Sequence, residues 1–190
     1  MGILKNIFKN SNIPNNRTVH MVIDEQLING NEAQGVLDVQ RIIAPLWWSV
    51  SIYDGEEKYE NDLKPFTISQ RYIFAIQWYS AEVNNGGHCQ FYGNSTGIVW
   101  EDALKGFEAI GAEQNIKIMK ETMKRMREIP SKDHAERQEQ LAKFDSDFND
   151  LDSLYYEIES EMIKALYDYI RKNTKEFMFS GEVTIPKGTY

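Results

Sequence analysis

Over most of residues 32–171, apolar side chains recur at three- and four-residue spacing, the period of a helix that buries one face. That period excludes the strand–helix alternation of an α/β fold. It predicts an all-α (mainly α), compact domain of six to eight helices. The longest segment covers 147–171, where Leu151, Leu154, Tyr155, Ile158, Met162, Ala165, Leu166 and Tyr169 form one stripe. Thr67 and Gln70 make a capping box behind Pro65-Phe66 and open a helix carrying Tyr72, Ile73, Ile76, Trp78 and Tyr79. Asn85-Gly86 predicts its end in a left-handed cap. Further helices are expected over 32–43, over 45–60 behind Pro45, over 97–110 closed by Gly111, and over 113–128 stopped by Pro130. A short polar helix is expected over 134–143.

The flanks carry weaker patterns. Residues 1–18 read as an amphipathic segment (Ile3, Leu4, Ile7 and Phe8 beside Lys5 and Lys9) followed by a linker. Its apolar part is too short for a signal peptide or a membrane span. Residues 19–176 are expected to form a single helical domain. Residues 177–190 alternate weakly around Val183 and Ile185, which predicts one short strand or an ordered tail. A single cysteine, Cys89, excludes an intramolecular disulfide and favours a reducing compartment, so a cytoplasmic location is expected.

Charge narrows the function classes. The chain carries 29 acids against 21 Lys and Arg, a net −8, and a sequence pI near 5.0 opposes direct binding to nucleic acid. The acids are concentrated. Residues 144–168 hold Asp145, Asp147, Asp150, Asp152, Glu157, Glu159, Glu161 and Asp168 against Lys164 alone, a net −7. Residues 54–62 hold five acids against Lys58, a net −4, so the rest of the chain is +3. At about 100° per residue, Asp147, Asp150, Glu157, Glu161 and Asp168 fall in one row of roughly 80°. Asp145, Asp152 and Glu159 fall in a second row on the other flank of the apolar stripe. If that stripe is buried, both rows face solvent, as phosphates do on a duplex, and a basic DNA-binding surface would accept them. Asp145–Asp150 has the start of a calcium loop, but Asp150 stands where Gly is required and Tyr156 where Glu is required. His20, His88, His134 and Cys89 lack ligand-pair spacing, so neither metal nor cofactor is expected.

Residues 82–104, EVNNGGHCQFYGNSTGIVWEDAL, stand apart in composition. Catalysis would use His88 with Cys89 or Glu82, yet sequence neighbours on a helix point about 100° apart and rarely form a working pair. The structural reading has Gly86-Gly87 forming a tight turn between helices, with Asn85, Gln90 and Asn94 bonding its backbone. The segment also resembles the signature of the DNA-mimic protein family of the nineteen-kilodalton type. The matching residues are Glu82, Val83, Asn85, Gly86, Gly87, His88, Gln90, Phe91, Asn94, Ser95 and Gly97. The similarity runs on through Ala103-Leu104, Ile110-Gly111 and Leu151-Asp152 to Tyr155, over roughly residues 65–175. The resemblance implies an all-α fold, usually a dimer, without known enzymatic activity. The family's described member is similar to DNA in surface charge and occupies a transcription factor's DNA-binding face.

The leading expectation is therefore a non-enzymatic acidic module that binds a basic protein, such as a DNA-binding protein, through the two acid rows. One alternative is an immunity- or inhibitor-type protein anchored by Trp47, Trp48 and Tyr53, since binding hot spots are rich in Trp and Tyr. Another is an enzyme using His88. A basic stretch over 117–127 (Lys117, Lys120, Lys124, Arg125, Arg127) is expected to pair with an acidic patch, within the chain or across a homodimer.

Overall fold

The computed structural model describes residues 16–29, 37–144 and 147–186. The amphipathic segment 3–9, residues 32–36 of the expected 32–43 helix and Asp145 lie outside the described residues. Strand β1 (Asn16–Ile23) leads into α1 (Glu25–Asn29), α2 (Val39–Ile42) and α3 (Ala44–Ser49). Then come α4 (Glu56–Leu63), α5 (Ile68–Gly93), α6 (Trp100–Ile110), α7 (Glu113–Met126), α8 (His134–Phe144), α9 (Asn149–Lys172) and strand β2 (Phe179–Pro186). Short 3-10 turns occupy Ser95–Val99 and Thr174–Phe177. The fold is mainly α, as the periodicity predicts.

Nine α-helices are present among the described residues, against the six to eight expected. One reason is that the single helix expected over 45–60 is two. Pro45 does open α3, but the chain turns extended at Val50. There, side chains take the backbone donors that a helix would use. Ser51 N–H donates to Asp62 Oδ2 (3.1 Å) and Tyr53 N–H to Ser51 Oγ (3.2 Å), so the helical ladder stops and restarts at Glu56.

The strands correct the reading of 11–18 as linker throughout. Residues 16–23 pair antiparallel with 179–186, with Val19 opposite Val183 and Arg17 opposite Ile185. Val183 and Ile185 are buried, β2 packs on α3, and Phe66 stacks on Phe179 at 5.8 Å. The alternation around Val183 and Ile185 marked β2. Its partner lies some 160 residues away, which a local pattern does not reveal.

Helix α5 is the hub and touches α3, α6, α8 and α9. Tyr79 sits at the centre of its buried face. Its ring meets Phe91 at 4.9 Å, Phe107 of α6 at 5.2 Å and Tyr155 of α9 at 5.6 Å, all edge-to-face and all buried. Asp102 in the first turn of α6 is also buried, and not only for the helix dipole. It pairs with Arg71 Nε at 2.7 Å and accepts from Tyr59 Oη at 2.7 Å. Arg71 also forks onto both oxygens of Glu60, so one guanidinium links α4, α5 and α6. Gly111 closes α6 in a left-handed conformation, as expected.

The capping box at the head of α5 is complete. Thr67 Oγ1 accepts from Gln70 N–H, and Gln70 Oε1 accepts from Thr67 N–H. The Thr67 hydroxyl in turn donates to the Glu176 carbonyl at 2.7 Å, tying the cap to the turn before β2. Replacing Thr67 by Ala removes both bonds. It is expected to lower stability by about 1–2 kcal/mol, measured as a lower urea midpoint at unchanged slope.

Candidate functional site

The 82–97 segment is a bend inside α5. Helical geometry breaks at Gly86 (φ −167°, ψ 26°) and Gly87 (φ 72°, ψ −174°), then resumes to Gly93. The expected left-handed cap at Asn85-Gly86 is thus corrected. Gly87 carries the positive φ, and the helix turns a corner there and continues. The bend leaves the His88 N–H without a helical acceptor, and Asp152 Oδ1 of α9 accepts it at 2.9 Å. His88 Nδ1 donates to the same carboxylate oxygen, while Nε2 accepts from Tyr79 Oη at 2.6 Å. Burial acts to raise the Asp152 carboxyl, but the hydrogen bonds from the His88 ring and backbone outweigh it and hold the group below the ordinary carboxylate range.

The other signature residues pack around this bend. A Cβ on Gly87 would stand 2.2 Å from Asp152 Oδ2. Glu82 Oε2 accepts from Gln90 Nε2 (2.6 Å) and Asn94 Nδ2 (2.9 Å), bracing the two arms of α5. Phe91 is in the core. Gly97 makes room for Arg137, whose Nε would lie 2.4 Å from a Cβ there. Arg137 is 0% exposed and pairs with no carboxylate among the described residues. Its guanidinium donates to the carbonyls of Tyr92, Asn94 and Ser131, each at 2.7 Å. Asn85 is exposed and Ser95 half-buried.

This arrangement leaves His88 no room for catalysis. It is 0% exposed, both ring nitrogens are engaged, and its ring lies edge-on to Tyr79, Phe148 and Tyr155. Cys89 is exposed. Among the described residues no group of three or more His, Cys, Asp or Glu is placed to hold a metal ion.

The acid rows separate. Asp147, Asp150, Glu157, Glu161 and Asp168 are all exposed. Glu157, Glu161 and Asp168 have no cationic partner among the described residues. Asp150 has one: the Arg125 guanidinium of α7 grips both its oxygens and holds its carboxyl down at about 2. The two described members of the second row do not stand fully in solvent as expected. Asp152 is turned inward to His88, and Glu159 is half-buried, accepting from Asn84 Nδ2 at 2.5 Å. The apolar stripe is wider than a strict heptad seam, so acids on that flank are drawn into the α5–α9 contact.

The 54–62 patch is largely neutralised too. Glu60 is held by Arg71, Lys132 lies 3.2 Å from both Glu56 and Glu60, and Lys58 pairs with Asp62. The basic helix α7 finds partners within the chain. Arg125 joins Asp150, Lys124 lies 3.2 Å from Glu121, and Lys120 lies 3.8 Å from Glu108. Nor do the three candidate aromatic anchors form one exposed group. Trp47 packs edge-on against Phe74 and Trp78, Trp48 is half-buried, and Tyr53 is exposed.

Residues 64–173 match a protein-family model described as DMP19-like protein. The match spans more than half of the chain, which therefore belongs to the DMP19-like family. No curated protein and no solved structure matches it. No helix among the described residues is long and apolar enough to cross a membrane.

Two outcomes follow from the bend. Gly87→Ala, which combines a positive φ with the contact on Asp152, should cost at least about 2 kcal/mol in stability by urea unfolding. Asp152→Asn should be less stable than the parent at neutral pH, by a margin that shrinks in acid. Because the folded carboxyl binds its proton less readily than the unfolded one, its contribution is whole above the unfolded value of about 3.9. It is then lost as pH falls through the lower folded value. Unfolding midpoints at pH 7, 5 and 3 would show this; a margin as large at pH 3 as at pH 7 contradicts it.

Proposed function

We propose that this member of the DMP19-like family is a non-enzymatic, acidic protein-binding module. In this reading the outer face of α9 takes the place of nucleic acid on a basic protein such as a transcription factor. The supporting observation is the state of four carboxylates. Asp147, Glu157, Glu161 and Asp168 are exposed, and the last three have no cationic partner within the described chain. Charges that a fold leaves uncompensated on one face are available to an outside partner.

The helix makes those charges a fixed array. Leu151, Tyr155, Met162, Leu166 and Ile170 bury its inner side, so α9 does not roll. Glu157, Glu161 and Asp168 then fall within an arc of about 20–40°. They are separated along the axis by about 6 and 10.5 Å. Leu154, 39% exposed beside them, adds apolar contact area. The face is smaller than the two rows expected from sequence, because Asp150 is neutralised and Asp152 and Glu159 serve the interior. The homodimer implied by the family resemblance would present two such faces, and the cytoplasm is the compartment where a DNA-binding partner would be met.

The test is capture. The full chain is immobilised, exposed to native cytoplasmic extract and eluted with a salt gradient, and the eluted proteins are identified by mass spectrometry. A nucleic-acid-binding protein should elute steeply between low and moderate salt. The variant Glu157→Gln/Glu161→Gln/Asp168→Asn should capture it at least tenfold less well while keeping the parent's unfolding midpoint. Equal capture by the triple variant would overturn the assignment of this face.

A further inference from the structure

Helix α8 is attached to the fold differently from the long helices around it. Helix α9 buries five apolar side chains, Leu151, Tyr155, Met162, Leu166 and Ile170. Of the α8 side chains at 134–143, only Arg137 is buried, Gln140 and Leu141 are half-buried, and the rest are exposed.

The inward face of α8 is polar. His134, Arg137 and Gln138, at i, i+3 and i+4, fall on one side of the helix. That side meets the carbonyls of three consecutive residues where α5 ends. Arg137 Nε donates to Tyr92 at 2.7 Å, Gln138 Nε2 and His134 Nε2 donate to Gly93 at 3.0 and 2.9 Å, and the Arg137 guanidinium donates to Asn94 at 2.7 Å. Carbonyls at a helix end lack donors in their own helix, and α8 supplies them. Leu141 adds apolar contact, with Cδ1 3.8 Å from where a Cβ on Gly93 would stand.

Two features keep this attachment weak. The Arg137 guanidinium has left water for carbonyls alone, and desolvation pushes it down to about 10. An unpaired buried charge is costly, so the same residue that bonds α8 to α5 also opposes the closed form. The second feature is the seam. His134 and Gln138 share the wall of an open cleft of about 230 Å³ with Gly93, Asn94 and Thr96, so water reaches their bonds.

The root of the helix is held firmly. Lys132 Nζ lies 3.2 Å from Glu56 and Glu60 and 3.4 Å from Glu101, which ties the chain just before α8 to α4 and α6. Arg137 Nη1 donates to the carbonyls of Ser131 at 2.7 Å and Lys132 at 3.3 Å. One guanidinium thus joins the fixed root to the end of α5.

We propose that α8 is a lid that swings from this root off the end of α5 while the rest of the domain stays folded, with Arg137 as its latch. Elements with few buried apolar contacts and water-accessible hydrogen bonds open at lower free energy than the core around them. Opening returns the guanidinium to water and bares the carbonyls of Tyr92, Gly93 and Asn94. It also lets water reach the Thr96 hydroxyl, which is buried without a hydrogen-bond partner in the closed form. The open form presents an acceptor-rich surface at the negative end of a helix, which the closed form hides. The lid goes beyond the α9 reading, whose acids make none of these bonds.

Native-state hydrogen exchange on the full chain, read by NMR at low urea, tests the lid. The backbone amides of 138–143 should share one opening equilibrium, at least about a hundredfold more favourable than that of the slowest α5 and α9 amides and less dependent on urea. Thr67→Ala weakens the cap of α5 in the closed and the lid-open forms alike. It should therefore speed the slowest α5 and α9 amides about tenfold and leave the α8 amides unchanged. Arg137→Lys, which keeps the charge and loses the fork, should raise the α8 opening at least about tenfold. If that variant fails to fold, His134→Ala/Gln138→Ala, at exposed positions, carries the test with a rise of about fivefold. Exchange of α8 only together with the core would overturn the lid. So would protection graded inward from the helix ends, which is fraying, or α8 amides that follow Thr67→Ala. An unchanged α8 opening in the folded Arg137→Lys variant removes the latch.

Discussion

The carboxylate of Asp152 sets the position of almost everything else. A 26-residue helix with two glycines at its bend has no reason of its own to hold one angle. Asp152 supplies that reason by taking both the backbone N–H and the ring N–H of His88. The His88 ring then fixes the Tyr79 hydroxyl, and Tyr79 is the residue on which Phe91, Phe107 and Tyr155 converge. The same contact fixes the rotation of α9. With Asp152 facing α5, Glu157, Glu161 and Asp168 are carried to the opposite side of the helix.

A formal charge count by segment and the charge a partner meets are different quantities. The 54–62 segment has a net −4 on paper, yet Arg71, Lys58 and Lys132 gather around its carboxylates. Segment 144–168 loses Asp150 to Arg125 and Asp152 to His88. Among the described residues, what remains in line on α9 is Glu157, Glu161 and Asp168, three acids without a cationic partner. Part of the basic character of α7 is consumed in the same way, Arg125 by Asp150, Lys120 by Glu108 and Lys124 by Glu121 of its own helix.

Much of the scaffold was legible because its cues are short-range. The Thr67/Gln70 capping box, the left-handed Gly111 and the apolar stripe of 147–171 each involve residues within one or a few turns, and each is found where periodicity and capping chemistry place it, except that Leu154 at the edge of the stripe is exposed. The features that escaped depend on distant residues. The pairing of 16–23 with 179–186 spans the whole domain. The break at 50–55 depends on Asp62 reaching back to Ser51. At the site, the sequence marked His88, Gly87 and Gly97 as special but did not name what they serve. Asp152 looked like one more member of an acid row, and Arg137 like an ordinary residue of a polar helix. An exposed and a buried carboxylate have the same letter and the same helical period when they sit at the edge of the stripe.

Helix α9 divides lengthwise into two parts with different obligations. Its inner half is bound to the architecture through Asp152, Tyr155, Met162 and Leu166, and little can change there without moving α5. Its outer half, from Glu157 through Glu161 to Asp168, makes no contact that the scaffold needs. The outer half is therefore a printing face. A lineage, or a designer, can reset the type on it for another customer while the press behind it stays the same.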